Sequence, residues 1–215
     1  MQPLTEKILK QSLRNGSILF GIHDFVCLTG KSGNRLHAMI KRAIAADEMI
    51  QIRRGLYCLA ARYRREQVDV YTFAQRIYGP SYISMESALS WHGCIPEAVY
   101  TVTSVSMKRS VEFDTPLGQF TYDHVPQKTF LSGVQRVETT SRQYAFLADV
   151  VKALADYVYV HRKDWTTVEP LINSLRMDME TLNSVTEQDI AGMLQNYRSR
   201  RVIRFLMGLA KDLKR

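Results

Sequence analysis

The sequence is poor in the residues that staple or metallate small domains: its three cysteines, Cys27, Cys58 and Cys94, are isolated, odd in number and form no C-x-x-C pair. Such spacing excludes a disulfide framework and a structural zinc site, and it fits a reducing cytoplasm. No uninterrupted apolar run approaches the ~20 residues that cross a bilayer. The N-terminal MQPLTEKILKQSLRNG is charged and amphipathic rather than patterned as a targeting segment. A soluble, cytoplasmic chain with no membrane partner is therefore expected. Acidic residues are scarce at both ends. Residues 1 to 65 hold 12 Lys and Arg against 4 Asp and Glu, and residues 198 to 215 hold 7 against 1, whereas residues 66 to 197 hold 10 against 16. The overall +8 is thus a basic head and a basic tail around an acidic middle, and the head has the sign that attracts a polyanion.

What is present is 215 residues with 46% apolar content, enough for two small cores, so two domains are expected. In the head, LTEKILKQSLRN sets Leu4, Ile8 and Leu13 near helical spacing, with Asn15-Gly16 as a stop. A short apolar strand over Ile18 to Phe20 follows, then a brief helix with Asp24 as its cap, ending near Gly30. Ser32 caps a clearer helix, SGNRLHAMIKRAIAADEM, whose Leu36, Met39, Ile40, Ala43 and Ile44 form one stripe at 100° per residue. Opposite lie Asn34, Ala38, Lys41, Arg42 and Ala45, with Arg35 on the flank. A face of small, amide and basic residues can enter a major groove closely, Asn or Arg reaching base edges and Lys meeting phosphate.

The next run, MIQIRRGLYCLA, reads as strands Met49–Ile52 and Leu56–Leu59 joined through Arg53-Arg54-Gly55. Gly55 supplies the positive φ of a tight connection and leaves both arginines near the hairpin end, free to meet phosphates. Three helices followed by a basic hairpin make a winged helix-turn-helix over residues 1–65, with the third helix as reader and the hairpin as wing. Ser32, Asn34, Arg35, Lys41, Arg42, Arg53 and Arg54 are the DNA-binding candidates, and double-stranded DNA is the partner.

ARYRREQVD is a polar connector, and the second domain, residues 66–215, begins where the composition shifts. A helix over VDVYTFAQRIYGP precedes a strand at Tyr82-Ile83 and a small helix from Met85 to Trp91 capped by Ser84. AVYTVTSVSM alternates from Val99, and VEFDTPLGQFTYDHV reads as strand, Pro-Gly turn and strand, giving a small antiparallel unit. From Ser141 the chain reads as helix through RQYAFLADVVKALADYVYV, then TVEPLINSLRM, then TEQDIAGMLQNYRSRRVIRFLMGLAKDLKR to the end. The fold class is α+β: the winged helix-turn-helix, then an α+β domain with a small antiparallel sheet and late helices. On the last helix Val202, Phe205, Leu206, Leu209 and Leu213 oppose Arg200, Arg201, Arg204 and Lys211. The apolar stripe is expected to dock on its own domain and leave a solvated basic face, the alternative being that this face offers a second contact to DNA or another anionic partner.

The run YISMESALSWHGCIPEAVYTVTSVSMKRSVEFDTPLGQFTYDHV, preceded by a winged-helix pattern ending in RRGLY, resembles the AbiEi family of antitoxins. The similarity is densest over residues 49 to 59 and 81 to 125 and thinnest after about 160. RRGLY is common among winged helices; YIS..SAL..HG followed by paired strands is the sharper signature. The resemblance implies a non-enzymatic transcriptional regulator of a phage-defence operon of the type IV toxin–antitoxin kind. Its winged helix would bind inverted repeats in its own promoter, one copy per half-site as a possible homodimer on DNA. Its C-terminal domain would oppose a nucleotidyltransferase-like toxin without a stable complex. No cofactor or metal is implied.

Catalytic readings of the residues are weaker. His92-Gly93-Cys94 has no second ligand at metal spacing, and Ser84, Ser87 and Ser90 lack the strained elbow of a hydrolase; a helix-end histidine and a buried thiol account for them. Glu112, Asp114 and Asp123 suggest a magnesium-dependent nuclease, but the carboxylate-x-lysine on the next strand is missing, so they are expected instead to face solvent or to pair with Lys108 and Arg109. A protein-interaction module is the remaining alternative.

Overall fold

The computed structural model describes the whole chain except residues 65–67, 98, 140–142, 214 and 215. It is a mixed structure, 48% helix and 21% strand, and divides into two compact units: Met1–Asp69 with Asp114–Leu117, and Val70–Phe113 with Gly118–Arg215. The boundary expected at residue 66 lies outside the described residues.

In the first unit α1 (Pro3–Asn15) starts with proline, whose missing N–H costs nothing in a first turn, and stops at Gly16, where φ of 70° lets the N–H return to the Ser12 carbonyl. Then come β1 (Leu19–Gly21), α2 (Ile22–Thr29), α3 (Gly33–Ala45), β2 (Met49–Arg53) and β3 (Leu56–Leu59). The three strands form an antiparallel sheet in the order β1-β3-β2. Leu4, Ile8, Phe25, Leu36, Ile40 and Leu59 share one core, with the Phe25 and Tyr57 rings 5.4 Å apart. Leu13, expected on the buried side of α1, is 52% exposed, because the helix outruns the core that covers Leu4 and Ile8. Asp24 is the third residue of α2 rather than its cap: its Oδ2 accepts from the Gly21 N–H at 2.7 Å, since the strand passes straight into the helix. The third helix, expected to reach Met49, ends at Ala45. There Asp47 takes φ of 52° and Glu48 turns inward, its Oε2 accepting from the Gln2 N–H at 2.8 Å.

The second unit begins with α4 (Val70–Ile77), β4 (Ser81–Ile83), α5 (Met85–Trp91), β5 (Val102–Ser106), β6 (Val111–Thr115), β7 (Gly118–His124), β8 (Val134–Glu138), β9 (Tyr144–Ala148) and α6 (Val150–Val160), the end of β6, Asp114 and Thr115, being grouped with the first unit. The six strands form one sheet in the order β6-β7-β5-β4-β9-β8. The expected small antiparallel sheet is in fact larger and mixed. β4–β5 and β8–β9 are antiparallel, but β5–β7 and β4–β9 are parallel. The β6–β7 hairpin places its second strand, not its first, against β5, which sets that pair parallel. β5 starts at Val102 rather than Val99, and Tyr100 ahead of it is 91% exposed.

The helix expected from Ser141, a residue outside those described, is divided. Tyr144–Ala148 is strand β9, and α6 begins only after Asp149, whose Oδ1 accepts from the Lys152 N–H at 2.8 Å. α7 (Glu169–Leu175), α8 (Glu187–Asn196) and α9 (Arg200–Leu213) complete the unit. The single terminal helix expected from Thr186 is two helices, interrupted where Tyr197 turns its hydroxyl onto buried Asp156. Among the described residues no helix is long and apolar enough to cross a membrane.

Candidate nucleic-acid interface

α3 buries Leu36, Ile40 and Ala43 and part-buries Met39 and Ile44, so its opposite side must face outward. Asn34, Arg35, Ala38, Lys41, Arg42 and Ala45 are all exposed there. So is His37, which periodicity alone does not single out. Ser32 holds the extended N-cap conformation, φ −138° and ψ 176°, yet its hydroxyl makes no capping hydrogen bond. Arg42 folds back along the helix, Nε donating to the Ala38 carbonyl at 3.2 Å. The far end of the helix is held by a residue expected only as connector: Arg62 Nη2 donates to the Ala46 carbonyl at 2.7 Å, a cation at the negative end of the helix dipole.

In the hairpin, β2 and β3 pair as Ile50↔Cys58 and Gln51↔Tyr57, and a bulge then brings Arg53 opposite Leu56. Gly55 takes φ of 79° at the turn, the left-handed conformation that favours glycine. The two arginines, expected to be alike, differ. Arg54 is exposed, whereas Arg53 is half-buried with Nη1 donating to the Arg54 carbonyl at 3.0 Å, because the bulge turns its side chain along the hairpin. The first unit therefore holds both the α3 face and the hairpin arginines, while the basic residues of α9 belong to the second unit.

On α9, Val202, Phe205, Leu206 and Leu209 are fully buried, so the helix is a pillar of its unit. Arg200, Arg204 and Lys211 are exposed, but Arg201 is taken by Asp164, Nε to Oδ1 at 3.0 Å.

Among the candidate catalytic side chains, His92, Ser84 and Ser87 have structural partners. His92 ends α5 with Nε2 2.8 Å from the Ala148 carbonyl oxygen, and Cys94 is buried, which pushes its thiol pKa up. Ser84 occupies the N-cap of α5 without capping it, since its hydroxyl donates to Asp156 Oδ2 at 2.8 Å. Ser87 Oγ accepts from the Thr103 N–H at 2.8 Å, and Ser90 is half-buried on the same helix. Glu112 and Asp114 are exposed on β6, and Asp123 is half-buried on β7. Of the two expectations, Glu112 and Asp114 meet the first by facing solvent, and no ion pair of the three with Lys108 or Arg109 occurs among the described residues. Lys108 instead sets Nζ 5.1 Å over the Tyr78 ring, and the Arg109 carbonyl accepts from the Tyr78 hydroxyl.

A polar network that the sequence reading passed over lies beneath α6. Lys152 and Asp156 are both wholly buried. Asp156 Oδ2 accepts from the hydroxyls of Tyr82 at 2.9 Å and Ser84 at 2.8 Å, and Oδ1 accepts from that of Tyr197 at 2.5 Å. Lys152 Nζ donates to Gln127 Oε1 at 2.5 Å, and Gln127 Nε2 donates to the Tyr82 hydroxyl at 2.9 Å. Burial pushes the Asp156 carboxyl up and the Lys152 ammonium down, each against the pull of the other's charge. The signal in the sequence was the pair K-A-L-A-D, two opposite charges one turn apart inside an otherwise apolar helix. Set against protein-family models the chain matches none, and no curated protein matches it either.

Proposed function

We propose that the first unit is a winged helix-turn-helix, with α3 as reader and β2–β3 as wing, and that the chain is a DNA-binding regulator. The observation that carries this is the outward face of α3: Asn34, Arg35, Lys41 and Arg42 stand exposed around Ala38 and Ala45, small enough to let backbone approach a groove. The element order α1-β1-α2-α3-β2-β3 supports the same reading, as does a basic head of +8. The antitoxin role, acting against a nucleotidyltransferase-like toxin and repressing its own operon, rests on the sequence resemblance alone. In it the second unit opposes the toxin, and two copies bind an inverted repeat.

Fluorescence anisotropy tests the reading, comparing a duplex from the chain's own promoter with a scrambled duplex across a salt series. The promoter duplex should bind tighter. Lys41→Ala and Arg54→Ala should each lower the salt slope by about one, as expected for one phosphate contact, and Arg42→Ala by less, because its guanidinium is bonded to the Ala38 carbonyl. Arg53→Ala should change it less, because that guanidinium is already turned onto the Arg54 carbonyl. Asn34→Ala should relax preference at one or two base pairs. Equal affinity of the intact chain for both duplexes would remove the regulator reading. Arg200→Ala with Arg204→Ala tests the second contact, and an unchanged slope would sink it. Co-expression with the toxin encoded beside it tests the antitoxin role through recovery of growth.

A further inference from the structure

The second unit carries an open cleft of about 510 Å³ lined by His124, Val125, Gln127, Lys128, Phe130 and Arg198 among others, within the range of small-molecule sites. Three segments far apart in sequence line it, at Met107, at His124 to Phe130 and at Arg198, and the last two are tied together. Gln127 and Tyr197 form an antiparallel bridge, the Lys128 N–H donates to the Asn196 carbonyl at 2.9 Å, and the Thr129 N–H donates to Asn196 Oδ1 at 2.7 Å. Lys128 and Arg198, both exposed, therefore project from fixed points beside this tie. Gln127 joins the cleft to the buried network, its amide held by Lys152, Asn196 and the Tyr82 hydroxyl. Phe130 is braced by the Tyr82 ring, with centroids 4.9 Å apart. Among the described residues lining the cleft there is no carboxylate.

We propose that this cleft binds a nucleotide-sized organic phosphate, with Lys128 and Arg198 holding the phosphates and a planar ring laid on half-buried Phe130. Two cations carried on tied backbone segments, with an aromatic ring in the same lining, suit a ligand that is anionic at one end and flat at the other. Charge-assisted bonds from lysine and guanidinium supply the first requirement and ring stacking the second. The site is independent of the DNA-binding reading, and either can fail without the other.

Isothermal titration of the full chain with ATP, GTP, adenosine and pyrophosphate tests the proposal. ATP or GTP should bind with Kd below about 100 µM, and adenosine and pyrophosphate at least about tenfold more weakly. Lys128→Ala with Arg198→Ala should weaken the nucleotide at least about tenfold while leaving the urea midpoint unchanged, since both side chains are exposed. Arg136→Ala, an exposed cation on β8, should have no effect. Absence of nucleotide binding, full affinity in the double variant, or equal affinity for pyrophosphate would each overturn the proposal.

Discussion

Replacing Lys152 by methionine removes the one ammonium that faces Asp156 inside the second unit, while leaving the three hydroxyls that donate to the carboxylate. Breaking a buried ion pair from one side costs about 3–5 kcal/mol, an upper bound here because Lys152 and Asp156 act on each other through charge while the ammonium bonds Gln127. The lower end is expected, because burial already favours the protonated carboxyl, which can then keep its hydroxyl partners. Asp156→Leu should cost more. It strands the Lys152 ammonium against the Tyr82 ring, 4.9 Å away, and leaves the Tyr82, Ser84 and Tyr197 hydroxyls without their acceptor, at roughly 1–3 kcal/mol each where no new partner is found. In the double variant no charge is left unpaired but the three hydroxyls still lose their partner. Its cost should therefore fall below the sum of the single variants by about 2 kcal/mol or more. Urea unfolding followed by tryptophan fluorescence is the assay. Trp91 and Trp165 are the only tryptophans and both lie in the second unit, so the transition reports on that unit. Additivity within about 0.5 kcal/mol would refute the reasoning, since it would mean that the two charges do not act as a pair.

Two other outcomes follow from packing. Burial pushes the Cys58 thiol up to about 11, so the folded chain keeps this proton where the unfolded chain loses it. The stability it contributes is complete below the ordinary thiol pKa and is lost as pH rises through about 11, by roughly 2–3 kcal/mol at about 1.4 kcal/mol per unit. The unfolding free energy should therefore fall more steeply from pH 8 to 11 for the parent than for Cys58→Ala, and parallel curves would contradict the buried thiol. Gly208→Ala should destabilise the second unit by about 2 kcal/mol or more, although alanine is the better helix former by about 1 kcal/mol, because an added Cβ would run into the Thr166 backbone. A raised urea midpoint in that variant would show that the segment around Thr166 yields.

The parts legible in the sequence were those written in local pattern. The α3 stripe of Leu36, Ile40 and Ala43 is buried as its 100° spacing requires, which by subtraction exposes the candidate reading face. The hairpin around Gly55 and the stop at Gly16 follow from residues that carry their own backbone conformation. Tyr144–Ala148 was misread because a five-residue apolar run beside an apolar helix has no period of its own to separate strand from helix. The parallel pairing of β5 with β7 escaped for another reason, since the direction of a strand depends on the neighbour it meets and not on its own residues.

The amino-acid sequence by itself determined the helices and hairpin of the first unit, the basic head and tail, and the inward stripe of α9. Each of these depends on residues a few positions apart, where spacing and side-chain chemistry are sufficient. Only the tertiary structure decided that Arg54 is presented while Arg53 is turned away, that Arg201 is taken by Asp164, and that Lys128 and Arg198 stand beside one cleft. It alone gathers Tyr82, Gln127, Lys152, Asp156 and Tyr197 into one buried network. Those arrangements join residues tens of positions apart, and what brings them together is the closing of the core around polar groups that must find partners once water is gone.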